Sequence, residues 1–254
     1  MALNSSIEWT EATWNPVTGC TKVSAGCKHC YAERLAKRLQ AMGNPNYRNG
    51  FEVTLHPHML ALPGKWAQPR MIFVNSMSDL FHADVPDDYI HRVFDVMVAA
   101  PWHIFQVLTK RSTRLLELSP SLPWPDHIWM GVTVEDAACL DRISDLRHTG
   151  AVVKFLSCEP LIGDLGHLHL EGIHWVIVGG ESGPGARVMR RDWVLSIKNQ
   201  CAMAEVPFFF KQWGGTRKHI SGRVLDGKIY SDMPPLAAER PLIPYGVGVG
   251  MSST

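Results

Sequence analysis

The chain has 254 residues, 46% of them hydrophobic, with 25 basic and 24 acidic residues and six cysteines. Because the net charge is only +1, any nucleic-acid binding must rest on a local patch, and six cysteines are too few for a disulfide scaffold of this length. No apolar run approaches the ~20 residues that cross a bilayer, so we expect no membrane partner and a reducing, cytoplasmic setting.

The predicted elements alternate between strands and helices along the chain. A first short strand ends near residues 14–18, and later apolar runs fit strands that are buried on both faces of a parallel sheet. These later strands are predicted at residues 71–75, 103–109, 128–134, 152–157, 174–178 and 207–210. Helices are predicted at residues 31–42, 87–99, 112–118, 136–148 and 191–204.

Repeated strand–helix units of this size predict an α/β fold, a (β/α) barrel of parallel strands that is complete or partial. A doubly wound open sheet is the alternative. We expect the barrel domain to span residues 1–216. The remaining residues, 217–254, are rich in Gly and Pro and are predicted to form an irregular extension packed on the barrel, with one hairpin around residues 225–228.

Three cysteines, Cys20, Cys27 and Cys30, lie close together after the first strand, with six residues between the first two and two between the last two. A structural zinc site normally takes four protein ligands, whereas a catalytic [4Fe–4S] cluster can use three and leave one iron open. We therefore predict that these three thiolates are metal ligands. Cys139 and Cys201 fall within helical patterns and are predicted to be core residues.

Polar residues collect where the predicted strands end. In a barrel of parallel strands these ends meet at one mouth, where active sites are built, and the cysteines open onto the same mouth. Because six predicted strands end in polar residues, we favour the interpretation that the protein is an enzyme. The polar residues are Asn75, Ser76, Ser78, Asp79, Thr109, Lys110, Arg111, Thr133, Glu135, Ser157, Glu159, Glu181, Ser182, Lys211, Gln212 and Trp213.

The three cysteines, the aromatic residue beside the last of them and the βα units that follow resemble the radical S-adenosylmethionine (SAM) enzymes. More closely, the segments WNPVTGC at 14–20, LSCEPL at 156–161 and GGESG at 179–183 resemble a phage and bacterial three-Cys-motif family, over roughly residues 6–234. The first cysteine gap here is six residues, where radical SAM enzymes usually have three.

This resemblance implies a [4Fe–4S] cluster held by the three cysteines, with SAM as the second cofactor and an electron-donor protein or other reductant as a partner. The enzyme would generate a 5′-deoxyadenosyl radical. His29 or Tyr31 would lie near the adenine, and the end of the second strand would hold the methionine part of SAM. The residues implied for SAM binding are His29, Tyr31, Asn75, Ser76, Asp79, Thr109 and Glu135.

The candidate catalytic residues are Glu181, Lys211 and Cys158, which follow or end the later strands. Glu181 and Lys211 are expected to face the mouth. Cys158 is a candidate hydrogen-atom donor at the mouth, and the competing interpretation, a buried and inert cysteine, is favoured.

Positive charge is clustered in two places along the chain. The first cluster surrounds the cysteines and the second follows a Gly-Pro-Gly turn. Such cations can contact a phosphate backbone, although runs of this kind are usually solvated helix faces, so a nucleic acid or nucleotide is one substrate class. The residues are Lys22, Lys28, Arg34, Lys37, Arg38 and Arg48 in the first cluster and Arg187, Arg190 and Arg191 in the second.

Two other functions remain open. The first is a non-catalytic iron–sulfur or zinc protein that binds nucleic acid, with the three cysteines and a histidine such as His29 as ligands. The second is a barrel hydrolase that uses Asp79, Glu135, Glu159 or Glu181, with structural cysteines.

Overall fold

The chain folds as alternating strands and helices, and a computed structural model describes residues 5–235. The strands are β1 (Ala12–Trp14), β2 (Val17–Thr18), β3 (Thr54–Leu55), β4 (Met71–Val74), β5 (Ile104–Thr109), β6 (Ile128–Thr133), β7 (Val153–Cys158), β8 (Trp175–Gly179) and β9 (Phe208–Gln212). The helices are α1 (Tyr31–Ala41), α2 (Asp87–Val98), α3 (Ser112–Leu118), α4 (Asp141–Arg147), α5 (Arg191–Met203) and α6 (Lys218–Ser221).

Seven of the strands form one parallel sheet whose order follows the chain: β1–β4–β5–β6–β7–β8–β9. Because the order never reverses, the sheet has no switch point, and the doubly wound alternative is wrong. The sheet curls into a half-barrel, which is the partial form of the predicted architecture. β2 and β3 form a separate two-stranded antiparallel sheet that the sequence pattern did not predict.

Aromatic side chains fill the inside of the curled sheet. The Trp175 ring on β8 contacts the rings of Trp129 and Phe209 on two other strands, at 6.0 and 5.9 Å between centroids. It also contacts Trp9, which precedes β1, at 6.2 Å. Since β1 and β8 are not neighbours in the sheet, this contact shows that the curl brings early and late strands together.

The other face of the sheet packs against the helices. Side chains alternate between the two faces along each strand, which places one half of every strand in this outer core. Sheet residues of the outer core include Val74, Val107, Met130, Leu156 and Val178, and helix residues include Ile90, Phe94, Leu115 and Val194. Burial on both faces explains the near-continuous apolar runs from which the strands were predicted.

The predicted strands after the first and most of the predicted helices agree with the structure to within about two residues. The exception is the helix predicted at 136–148, which begins as a 3₁₀ turn (Ala137–Cys139) and continues as α4. Among the described residues, no helix is long and apolar enough to span a membrane.

The described part of the C-terminal extension packs along β9. The backbone N–H of Phe210 donates to the carbonyl of Tyr230 at 3.1 Å. The predicted hairpin is confirmed, because Leu225 and Lys228 form a bridge around Asp226 and Gly227, which both have positive φ angles of 51° and 75°. Residues 1–4 and 236–254 lie outside the described residues, and the domain boundary at 216 stays a prediction.

Candidate functional site

The three cysteines belong to a loop of residues 19–30, the cysteine loop, which joins β2 to α1. It leaves β2 at Gly19, whose φ is +85° and whose N–H donates to the carbonyl of Met77 at 3.0 Å. A Cβ at Gly19 would lie 2.1 Å from the carbonyl oxygen of Glu52, so only glycine fits this turn. From there the loop contacts residues that follow four strands of the sheet, and it therefore lies across the mouth.

Asp79, which follows β4, connects the start of the cysteine loop to two strand ends. Its buried carboxylate accepts hydrogen bonds from the Thr109 hydroxyl at 2.7 Å and from Arg111 Nη1 at 3.3 Å. Arg111 also donates to the carbonyl and hydroxyl of Thr21 at 3.2 and 2.9 Å, and its Nη1 lies 3.6 Å from Cys20 Sγ. One guanidinium therefore ties the first cysteine to the ends of β4 and β5.

Glu135, which follows β6, anchors the middle of the loop. Its fully buried carboxylate accepts hydrogen bonds from the Ser24 hydroxyl and, at 2.8 Å, from Arg142 on α4. Burial acts to raise the pKa of Glu135, but the charge of Lys110 and the contacts with Ser24 and Arg142 bring it below the ordinary value. A Cβ at Gly26 would lie 2.8 Å from Glu135 Oε1, so the loop packs directly on this carboxylate.

Glu181, which follows β8, anchors the end of the loop. Its carboxylate accepts hydrogen bonds from the backbone N–H and Nε of Arg187, both at 2.9 Å, and pairs with His29 Nδ1 at 3.0 Å. Burial acts to raise the pKa of Glu181, but these hydrogen bonds outweigh it and lower the pKa to about 2. Beside it, Arg34 of α1 donates to the carbonyl of Ser182 at 2.8 Å.

A fourth charge pair joins Lys211 at the end of β9 to Glu159 after β7, and among residues 5–235 no hydrogen bond or ion pair links it to the cysteine loop. Lys211 on β9 contacts Glu159 at 3.1 Å, and the Lys211 ammonium lies 5.9 Å from the centre of the Trp9 ring. Ser157 donates to the Glu159 carboxylate at 3.3 Å. The four carboxylates of the hydrolase alternative, Asp79, Glu135, Glu159 and Glu181, are therefore each paired with a cation.

The three thiols differ in their surroundings, although all are partly buried. Burial and the charge of Asp79 raise the pKa of Cys20 to about 11, against the lowering effect of Arg111. Burial acts to raise the pKa of Cys27 as well, but backbone hydrogen bonds in the loop and the charge of Lys110 leave it below the ordinary value. Lys110 and Arg111, which both follow β5, therefore favour the thiolate forms on either side of the loop.

The donor chemistry of the loop fits an iron–sulfur cluster, but the sulfurs are not gathered. Within residues 5–235, no three His, Cys, Asp or Glu side chains form a group that could hold a metal ion. Metal binding and local folding are commonly coupled, so cluster loading would require the loop to bring the three sulfurs together. The predicted ligand set of Cys20, Cys27 and Cys30 stays a prediction.

Of the residues implied for SAM binding, Asn75 is the one with a free buried donor. It has a φ of 59°, its Oδ1 accepts the N–H of Val17 at 3.3 Å, and its Nδ2 is buried without a hydrogen-bond partner. Ser76 donates to Asn15 at 3.2 Å, and its carbonyl accepts the Tyr31 hydroxyl. The polar groups of Asp79, Thr109 and Glu135 are engaged as described above, and His29 contacts Glu181 through Nδ1.

Cys158 does not face the mouth, which corrects its interpretation as a hydrogen-atom donor. Side chains alternate along β7, so that Phe155 faces the inside of the half-barrel while Leu156 and Cys158 face the helices. Cys158 is fully buried in the outer core with Cys201 of α5, and burial raises the pKa of its thiol well above the ordinary value. The competing interpretation, a buried and inert cysteine, describes it.

The second basic cluster is neutralised by carboxylates. Arg187 is bound to Glu181, Arg190 pairs with Asp192 at 2.9 Å, and Arg191 pairs with Asp226 at 2.6 Å. The expectation that these arginines contact phosphates is not supported by this arrangement, because each cation already has an anionic partner.

Two residues of the site were missed at the sequence level, Ser24 and Arg142. Ser24 lies between two cysteines, and its contact with Glu135 joins residues 111 positions apart in the chain. Arg142 lies on the helix that follows Glu135, and the need of a buried carboxylate for a cation is the signal that could have identified it.

Comparisons with known proteins give a family but no function. The family model described as "Protein of unknown function (DUF5131)" matches residues 4–234. Neither the curated proteins nor the solved structures contain a match to the chain. The matched span agrees with the extent of the three-Cys-motif resemblance, and nothing in the comparisons links the family to radical SAM enzymes.

The Glu181 anchor predicts a pH-dependent stability. Because the folded-state pKa of about 2 lies below the ordinary 4.5, Glu181 stabilises the fold above about pH 4.5, and this contribution is lost as the pH falls towards 2. We expect Glu181→Gln to lower the free energy of unfolding by about 2 kcal/mol at pH 7 and by progressively less below pH 4.5. Denaturant titrations over this pH range measure the difference.

The matched control is Glu171→Gln, which removes an exposed carboxylate that pairs with Arg147. It should change the stability by less than about 0.5 kcal/mol at every pH. A loss in Glu181→Gln that is the same at pH 3 and pH 7 would contradict the assignment of Glu181 as an ionised anchor.

Proposed function

The chain belongs to the DUF5131 family, whose function is unknown, and we propose that it is a radical SAM-like iron–sulfur enzyme. One observation carries the proposal: a loop with three cysteines is fixed across the mouth of a parallel half-barrel by three strand-end carboxylates. Mouths of this kind are where parallel α/β barrels build active sites. A loop held in this position is suited to carry a reactive group into the mouth.

The chain's own residues would hold the cofactors. With SAM bound and one electron from a reductant, a [4Fe–4S] cluster on Cys20, Cys27 and Cys30 would supply methionine and a 5′-deoxyadenosyl radical. Arg111, 3.6 Å from Cys20 Sγ, places a positive charge beside the thiolates that this site requires. Lys110 has the same effect on the Cys27 side.

The free side-chain N–H of Asn75 supports a binding site for SAM near the end of β4. A buried amide N–H without a partner costs free energy, and a ligand acceptor at this position would recover it. The carboxylate of the methionine part of SAM is such an acceptor. Tyr31, whose hydroxyl donates to the Ser76 carbonyl next to Asn75, leaves half of its ring exposed for contact with the adenine.

The substrate would approach from the late strands. Lys211 and Glu159 end or follow late strands, pair with each other and keep part of their side chains exposed. We assign Lys211 and Glu159 to the substrate side. Glu181, by contrast, anchors His29 and Arg187, which gives it a positioning role in place of the expected catalytic one.

The hydrolase alternative receives less support from the geometry. A hydrolase needs a carboxylate that is free to exchange a proton, and each of the four candidates is paired with a cation. The zinc alternative is not weakened by the contact of His29 Nδ1 with Glu181, because a zinc-binding histidine commonly pairs its other ring nitrogen with a carboxylate. Metal analysis separates this alternative from an iron–sulfur cluster.

We predict that the protein purified without oxygen is brown and carries about four irons per chain. Cys27→Ala should abolish iron binding, because three ligands leave no redundancy, whereas Cys139→Ala and Cys201→Ala should keep it. Iron and zinc analysis of the folded variants measures this. Unchanged iron in Cys27→Ala would sink the ligand assignment, and colourless protein with one zinc would favour the binding-protein alternative.

We predict that Asn75→Asp weakens SAM binding about tenfold and leaves the iron content unchanged. The substitution keeps the Oδ1 acceptor and tolerates the positive φ, but it replaces the free donor with an anionic oxygen. Isothermal titration with SAM measures the affinity, and dithionite-reduced wild-type protein should release 5′-deoxyadenosine.

Asn199→Asp makes the same chemical change at an exposed position of α5 and should bind SAM as the wild type does. If iron-loaded wild-type protein neither binds SAM nor changes its visible spectrum when SAM is added, the SAM assignment is wrong.

A further inference from the structure

The charge of the chain is distributed unevenly. Residues 20–48, which include the cysteines and α1, carry six of the 25 cations but only one of the 24 carboxylates. The rest of the chain therefore has 19 cations against 23 carboxylates. A protein with a net charge of +1 has concentrated an excess of five positive charges on one short segment.

The six cations of this segment are all exposed, and we call them the basic surface: Lys22, Lys28, Arg34, Lys37, Arg38 and Arg48. Lys22 and Lys37 share the single carboxylate, Glu33, at 3.3 and 2.8 Å. Among the described residues, Lys28, Arg38 and Arg48 have no carboxylate partner. The positive charge of the basic surface is therefore largely unneutralised, unlike that of Arg187, Arg190 and Arg191.

The basic surface borders the mouth of the half-barrel. Lys22 and Lys28 lie within the cysteine loop, and Arg34 contacts the carbonyl of Ser182 just beyond the end of β8. Arg34, Lys37 and Arg38 are three and four positions apart and share one side of α1. From Arg34 to Arg38 this row of cations rises about 6 Å along the axis of α1.

We propose that the basic surface binds the phosphate backbone of single-stranded nucleic acid and presents a nucleotide to the mouth. Exposed lysines and arginines that share a single carboxylate match the uniform charge of phosphates. Protein interfaces, in contrast, are depleted of lysine at their core. A single strand is specified because a base that is stacked within a duplex is not free to reach the strand ends at the mouth.

The claim that a nucleotide is the substrate rests on the proposed function. The claim that the basic surface binds a single strand does not, because this binding needs no cofactor. Fluorescence anisotropy of a labelled 15-nucleotide single strand, as DNA and as RNA, tests the binding with the full-length chain. We expect salt-dependent binding that becomes at least about tenfold weaker in the Lys28→Glu/Arg38→Glu variant at low salt. The slope of log affinity against log salt should also become less steep by about one unit or more.

The matched control is Lys65→Glu/Arg92→Glu, which makes the same change in net charge at exposed positions outside residues 20–48. It should bind the strand as the wild type does. Polyglutamate of equal charge should compete poorly, because it lacks bases that can stack at the mouth.

No binding at low salt, equal loss in both variants, or no loss in either would overturn the inference. Equal competition by polyglutamate would also overturn it and would point to an acidic protein as the partner. Binding of the strand needs neither iron nor SAM. A failure of the binding test therefore does not affect the iron and SAM tests of the proposed function. A failure of the iron and SAM tests likewise does not affect the binding test.

Discussion

The arrangement of the mouth depends on three buried carboxylates that hold the cysteine loop. Asp79, Glu135 and Glu181 follow β4, β6 and β8, and each is paired with an arginine. Each also reaches the loop, through Arg111, Ser24 and His29 respectively. Removing one member of such a pair leaves the other charge uncompensated, so these pairs favour the observed position of the loop.

This constraint decides which residues are available for chemistry. Carboxylates that are held by arginines keep their charge and position a loop, but they exchange protons poorly at neutral pH, as the pKa of about 2 for Glu181 illustrates. Under the proposed function, reactivity at this mouth would come from a cluster on the cysteine loop. The proposed function assigns the partly exposed pair of Lys211 and Glu159 to the substrate side.

Much of the fold could be predicted from the sequence because its strands are buried on both faces and its helices separate them. β2 and β3 escaped prediction, since two-residue strands carry no periodicity. The mouth was predicted as a set of strand ends, but its pairings join residues far apart in the chain. Cys158 shows why the facing of single side chains could not be predicted. A shift of one residue along β7 decides whether a side chain faces the inside of the half-barrel or the outer core.

The central claim is that the cysteine loop carries an open-site cluster at the mouth, and Mössbauer spectroscopy of the ⁵⁷Fe-loaded protein tests it most directly. The account predicts a [4Fe–4S] spectrum in which one iron site becomes distinct from the other three when SAM is added. A spectrum that is the same with and without SAM, or a protein that takes up no iron under reducing conditions, would contradict the account.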